Sequence, residues 1–204
     1  MKKISYSLNF GLIGSKSSSV DLGKSIILDY LRDLAIKYNP MEFDINYKNS
    51  IEFLIVFDII PIKIKTFLAD NLEELIYNYN KVQHLDLIVL LFNIYDVNAI
   101  GHYNKNDFNE FKENFRFQGT SVLAGLDIKD DTTSENSRID RQKIIDKVNE
   151  LNLLYAFELK NEKKDIAEFF FKILKDFLFK FKSSSPEMFE LAKAYANKLR
   201  NQIP

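Results

Sequence analysis

Gly23, Lys24 and Ser25 close a glycine- and serine-rich run, Phe10-Gly-Leu-Ile-Gly-Ser-Lys-Ser-Ser-Ser-Val-Asp-Leu-Gly-Lys-Ser25, between a strand-like and a helix-like segment. These residue types suit an anion. Glycines let backbone amides close around a phosphate and a lysine adds a point charge. A hydroxyl can ligand magnesium, and a helix N-terminus supplies further N–H donors. The usual spacing is a glycine, four residues, then Gly-Lys-Ser. Counting back from Gly23 puts Ser18 at the first glycine position, and Gly14 lies four residues earlier still. The loop therefore reads as lengthened. Its candidate phosphate contacts are Gly14, Ser18, Gly23, Lys24 and Ser25, with Ser25 also a candidate magnesium ligand.

Other chemistries find little material. The chain has no cysteine, which excludes disulfides, thiol catalysis, Cys-based zinc sites and prenyl or palmitoyl anchors. His84 and His102, the only histidines, have no partner at metal-ligand or triad spacing. With 28 basic and 29 acidic residues and no block of one sign, there is no footprint for nucleic acid and no polybasic membrane patch. No apolar run approaches the roughly 20 residues that span a bilayer. The basic start Met1-Lys-Lys is followed by too short an apolar stretch for a signal peptide. A soluble, cytoplasmic protein is expected. The 18 phenylalanines read as core filler rather than binding platforms.

The elements that must carry the phosphate loop alternate between strand-length apolar runs and helix-period segments, the pattern of a mostly parallel sheet covered on both faces. Tyr6 to Ile13 reads as the first strand and Lys24 to Ile36 as a helix ended by Asn39-Pro40. Met41 to Asn46 and Ile51 to Ile60 read as strands joined by a turn at Tyr47 to Ser50. A helix follows over Leu68, Leu72, Leu75, Ile76 and Tyr79. Leu85 to Ile94 is almost wholly apolar, as a strand buried on both faces should be. Asp107 to Phe117 reads as a helix, Thr120 to Leu126 as a strand, Asp130 to Ser137 as a loop and Arg138 to Leu151 as a helix. Leu153 to Leu159 is the last strand. Ile166 to Phe181 has apolar residues at helical spacing. Pro186 opens a final helix to Asn201, with Ser185 as its cap. Phe171 and Phe179 lie off the main apolar stripe of their helix. Either the last helix folds back over them or they form an exposed patch.

This order of elements resembles the Ras superfamily of small G proteins, nearest the Rab-like branch, over about residues 4 to 182. Four pieces carry the likeness: Gly23-Lys-Ser25, Phe57-Asp58, Leu87-Ile-Val-Leu-Leu-Phe-Asn-Ile-Tyr-Asp96, and Ser121-Val-Leu-Ala-Gly125. The resemblance implies a P-loop NTPase fold of the Ras-like kind: α/β, three-layer, with a mostly parallel six-stranded sheet and helices on both faces. The domain would span 1–182, with 183–204 a hinge and C-terminal helix. The implied cofactor is GTP or GDP with magnesium, held by the loop, by Ser25 and Asp58 at the metal, and by Asp127 near the base.

Departures from the family pattern are specific. Its Asp-x-x-Gly reads Asp58-Ile-Ile-Pro61, and proline has no N–H to give a γ-phosphate. Ile62 stands where the water-orienting glutamine belongs. No threonine occurs between Tyr38 and Glu52. Lys129 stands where the guanine-reading aspartate belongs, so Asp127 or Asp130 would substitute only after a register shift. The expectation is a pseudo-GTPase: a protein-interaction module that does not hydrolyse GTP by the usual route. Its partner would dock on Asn39 to Lys65, where Ile59-Ile60-Pro61-Ile62 is markedly apolar. Two alternatives stay open, a working though atypical nucleotide hydrolase using Lys24, Ser25 and Asp58, and a purely structural subunit.

Overall fold

A computed structural model describes residues 5–39, 50–79, 84–129 and 138–200. The strand expected at Met41 to Asn46 and the loop expected at Asp130 to Ser137 lie outside them. The molecule is an α/β sandwich around one seven-stranded sheet. Its strands are β1 (Tyr6–Ile13), β2 (Ala35–Asn39), β3 (Ser50–Phe57), β4 (Ile60–Ala69), β5 (Leu87–Asn93), β6 (Thr120–Asp127) and β7 (Tyr155–Lys160), in spatial order β2-β3-β4-β1-β5-β6-β7. The β4-β1, β1-β5, β5-β6 and β6-β7 pairs are parallel, whereas β2-β3 and β3-β4 are antiparallel. Among the described residues the six α-helices are α1 (Ser18–Leu34), α2 (Leu72–Tyr79), α3 (Lys105–Phe115), α4 (Arg141–Leu151), α5 (Lys163–Ser184) and α6 (Pro186–Arg200).

The central strand explains the two layers of core. In β5, Leu87, Val89 and Leu91 join one cluster with the buried faces of α1, α5 and α6, while Ile88, Leu90 and Phe92 join a second with α2, α3 and α4. Alternation along a strand sends successive side chains to opposite faces, so a continuous apolar run serves both.

Three expectations about these elements are corrected. The sheet has seven strands, not six. Two strands were not expected: β2 begins at Ala35, inside the stretch read as helix to Ile36, and β4 has Ile62, Ile64 and Thr66 buried while Lys63 is exposed, a period of two that the neighbouring Pro61 masks. Ile51 to Ile60 is not one strand but β3 plus a tight hairpin at Asp58-Ile59, both residues holding left-handed φ values of 45° and 59°. Such a two-residue turn matches the twist of the strands it joins, yet a β-branched residue seldom tolerates it. Finally, α1 begins at Ser18, well before Lys24, because Ser17 caps it by accepting the Val20 N–H. A serine run reads as loop by propensity. Here it is cap and first turn.

The C-terminal helix is part of this core rather than an appendage. Ser185 alone separates α5 from α6, and Phe189, Ala192, Ala196 and Leu199 of α6 are buried. Tyr6 meets Phe181 and Phe189 beneath it, with ring centroids 4.6 and 6.4 Å away. The fold-back does not cover Phe171 or Phe179, which stay exposed.

Candidate functional site

In open parallel sheets, ligands meet the crevice beyond the carboxyl ends of the strands, where chain order reverses. Here that place is β1, flanked by β4 and β5. The parallel register pairs Ile13 with Ala69, so the next residues, Gly14 and Asp70, emerge side by side. The Gly14 N–H donates to Ala69 O at 3.2 Å. A Cβ on Gly14 would lie 2.5 Å from Val20 Cγ1 and 3.0 Å from Leu91 Cβ, so only glycine lets the chain turn here against α1 and β5.

Lys24 comes back to this point from the second turn of α1. Its Nζ donates to Gly14 O at 2.8 Å and to Asp70 Oδ1 at 3.1 Å, and the residue is only 7% exposed. Lys16 Nζ approaches the other carboxylate oxygen of Asp70 at 3.9 Å. Asp70 is itself fixed from behind. Its N–H donates to Glu74 Oε2 at 2.6 Å, and the Glu74 N–H donates to Asn71 Oδ1 at 2.7 Å. This reciprocal capping is the signature of a helix start. The ammonium that the sequence offers to a phosphate is thus already held by a carboxylate and a carbonyl.

The rest of the loop is tied down as well. Ser19 Oγ accepts from Asn93 Nδ2 at 2.9 Å, and Asn93 Oδ1 accepts the Tyr95 N–H at 3.0 Å. The Tyr103 hydroxyl lies 2.6 Å from Leu91 O and 3.2 Å from Ile13 O, where burial pushes its phenol up well beyond the usual range. That phenol stays protonated and donates to the strand ends that shape the loop. Tyr103→Phe should therefore cost about 1 kcal/mol in urea unfolding, the net worth of one buried hydrogen bond. An unchanged midpoint would show that the carbonyls find other donors. Beside the loop opens a cleft of about 620 Å³ whose lining includes Lys16 but also Asp70, Glu73, Asp107 and Glu110. Its field disfavours a polyanion.

The expected site residues separate into four groups. Gly14 and Lys24 meet. Ser18, Gly23 and Ser25 lie along α1 itself, so Gly23-Lys-Ser25 sits a turn inside the helix rather than at its mouth. Ser25 is exposed. Gly23 has a packing reason for its identity: a Cβ there would lie 2.4 Å from Leu126 Cδ1. Asp58 is not in the site at all. It occupies the β3-β4 hairpin, at the end of β4 opposite Asp70, so Ser25 and Asp58 cannot share a magnesium ion. Pro61 and Ile62 likewise belong to the start of β4 and are buried, which removes the argument that they degrade a γ-phosphate switch. Asp127 ends β6, where Tyr95 OH donates to its Oδ1 at 2.6 Å and Lys129 Nζ stands 5.7 Å from the Tyr95 ring centre. The Asp127 bond raises the Tyr95 phenol, with desolvation next.

Asp70, Asn93, Tyr95 and Tyr103 were missed by sequence reasoning. A signal for Asp70 existed in the alternation of Ile62 to Phe67 running into Asn71-Leu-Glu-Glu74, a strand followed by a capped helix. Among the described residues, no group of three or more His, Asp or Glu could hold a metal ion, and no helix is long and apolar enough to cross a membrane. The residues present do not fit a magnesium–nucleotide complex in the usual arrangement, because the lysine is engaged and the two expected metal ligands lie apart. No protein-family profile matches the chain, and no curated protein matches it.

Proposed function

We propose that this chain is a divergent Ras-like domain acting as a pseudo-GTPase, a cytoplasmic protein-interaction module whose phosphate loop is filled from within. The observation that carries the reading is the Lys24 ammonium, buried between Gly14 O and Asp70 Oδ1. Three features support it further. The Val20 N–H, at the mouth of α1, is spent on Ser17. Leu126 of β6 packs against Gly23, so that glycine serves core packing rather than a phosphate cradle. The adjacent cleft is acidic. A triphosphate would have to break the Lys24–Asp70 pair and bring its own charge next to that carboxylate, and both steps cost affinity.

Isothermal titration of nucleotide-stripped protein with GTP, GDP and ATP, each with magnesium, tests this directly. The expected result is no saturable heat at micromolar protein. Micromolar binding of GTP that disappears in Lys24→Ala would overturn the reading in favour of an atypical hydrolase.

A further inference from the structure

Three of the large apolar side chains left exposed, Ile59, Phe171 and Phe179, lie together at the end of the sheet opposite Lys24. There the β3-β4 hairpin, α5 and α6 enclose a groove of about 260 Å³. Its floor is Leu178 and Phe189, both buried, and its walls are Phe57, Ile59 and Phe179. Phe179 is 69% exposed, and Phe171, packed edge-on against Phe57 at 5.7 Å, is 55% exposed. Lys175, Lys182 and Lys193 stand around the groove with Asp58 as the lining carboxylate, and Lys193 is paired with Glu190 Oε1 at 2.6 Å. Lys175 lies 5.6 Å from the Phe171 ring centre and Lys193 lies 5.2 Å from that of Phe189, so cations and aromatic faces form one surface. The hairpin that completes it holds Ile59 in a left-handed conformation that glycine would adopt without strain. A strained residue persisting at a surface site points to a role for its side chain there.

We infer that this groove docks a partner protein through a short acidic, amphipathic segment. One bulky apolar side chain seats against Leu178 and Phe189, and flanking carboxylates reach Lys175 and Lys182. Lys175 and Lys182, set against the one lining carboxylate Asp58, select the sign of the partner, and the concave apolar floor selects an inserted side chain over a flat lipid surface. This rests on the reading of the domain as an interaction module, yet it uses none of the residues around Lys24. It also relocates the docking surface expected over Asn39 to Lys65, since Ile60, Pro61 and Ile62 are buried in β4 and only the hairpin of that stretch reaches the groove.

The test pans a display library of twelve-residue peptides against the full chain, with Phe179→Ser as the counter-selection. Enriched peptides are then made with a fluorophore and measured by polarisation. Peptides carrying an aromatic or leucine anchor beside two or more Asp or Glu should emerge. Their affinity should fall about tenfold or more in Phe179→Ser and in a Lys175→Glu, Lys182→Glu double variant. Ile59→Gly should weaken binding while raising the melting temperature, a split that a purely structural hairpin would not give. Enrichment of basic peptides, or of none over the counter-selection, overturns the inference. So does co-sedimentation with phosphatidylserine vesicles that needs the same residues, or self-association abolished by Phe179→Ser. Nucleotide binding would overturn the pseudo-GTPase reading and leave this result standing, so the two fail separately.

Discussion

Lys24→Met should destabilise the protein by about 2–3 kcal/mol, because it strands Gly14 O without its donor and leaves Asp70 with only the distant Lys16. The methionine keeps the apolar stem of the lysine, so packing changes little and the loss reports the charge and its bonds. Asp70 is 35% exposed, so the loss stays below the cost of breaking a fully buried pair. For a domain of this size the melting temperature should fall by roughly 5–10 °C. Asp70→Asn in the Lys24→Met background should recover part of the loss, since an amide tolerates the missing cation better than a carboxylate does. The sign is the informative part. A lysine held ready for an absent phosphate is a buried cation without compensation, and replacing it usually stabilises. A rise in melting temperature for Lys24→Met would therefore contradict the internal clamp and revive the ligand site.

Gly23→Ala should also run against the ordinary rule. In a helix interior the change stabilises by about 1 kcal/mol. Here the new methyl would lie 2.4 Å from Leu126 Cδ1 and 2.8 Å from Cδ2, and Leu126 is 2% exposed with little room to move. Overpacking of this kind costs about 1–3 kcal/mol. Leu126→Ala alone should cost about 2–5 kcal/mol by opening a cavity. The double variant should lose less than the two single losses added, because each change relieves the other. Strict additivity would mean that Gly23 and Leu126 do not share a contact, and the packing explanation for this glycine would fall. Chemical denaturation of the four proteins gives the whole cycle.

These results would separate two reasons for one triplet of residues. Read as a string, Gly23-Lys-Ser25 belongs to a phosphate loop. In the fold, the glycine admits Leu126, the lysine neutralises Asp70, and the serine is exposed on the flank of α1. Even the helix start differs from the expected one, since Ser17 and the serines after it supply the cap and the first turn.

What the chain determined by itself was local. The alternation of strand-length and helix-period segments led to an α/β sheet with helices on both faces. The bounds of β1, β5 and β6 follow closely from apolar periodicity, because burial repeats at the pitch of the element, whereas Leu68, read as helical, belongs to β4. The hairpin at Asp58-Ile59 was not legible, because neither residue carries the glycine or asparagine that marks such a turn. The partner of Lys24 was not legible either. Asp70 lies 46 residues away in the chain and reaches Nζ only because β1 and β4 align Ile13 with Ala69. No spacing rule relates those two positions. The same register sends Asp58 to the far end of the sheet and makes the groove beside α5 and α6. Residue types announced an anion-binding lysine. Strand pairing decided which anion it holds.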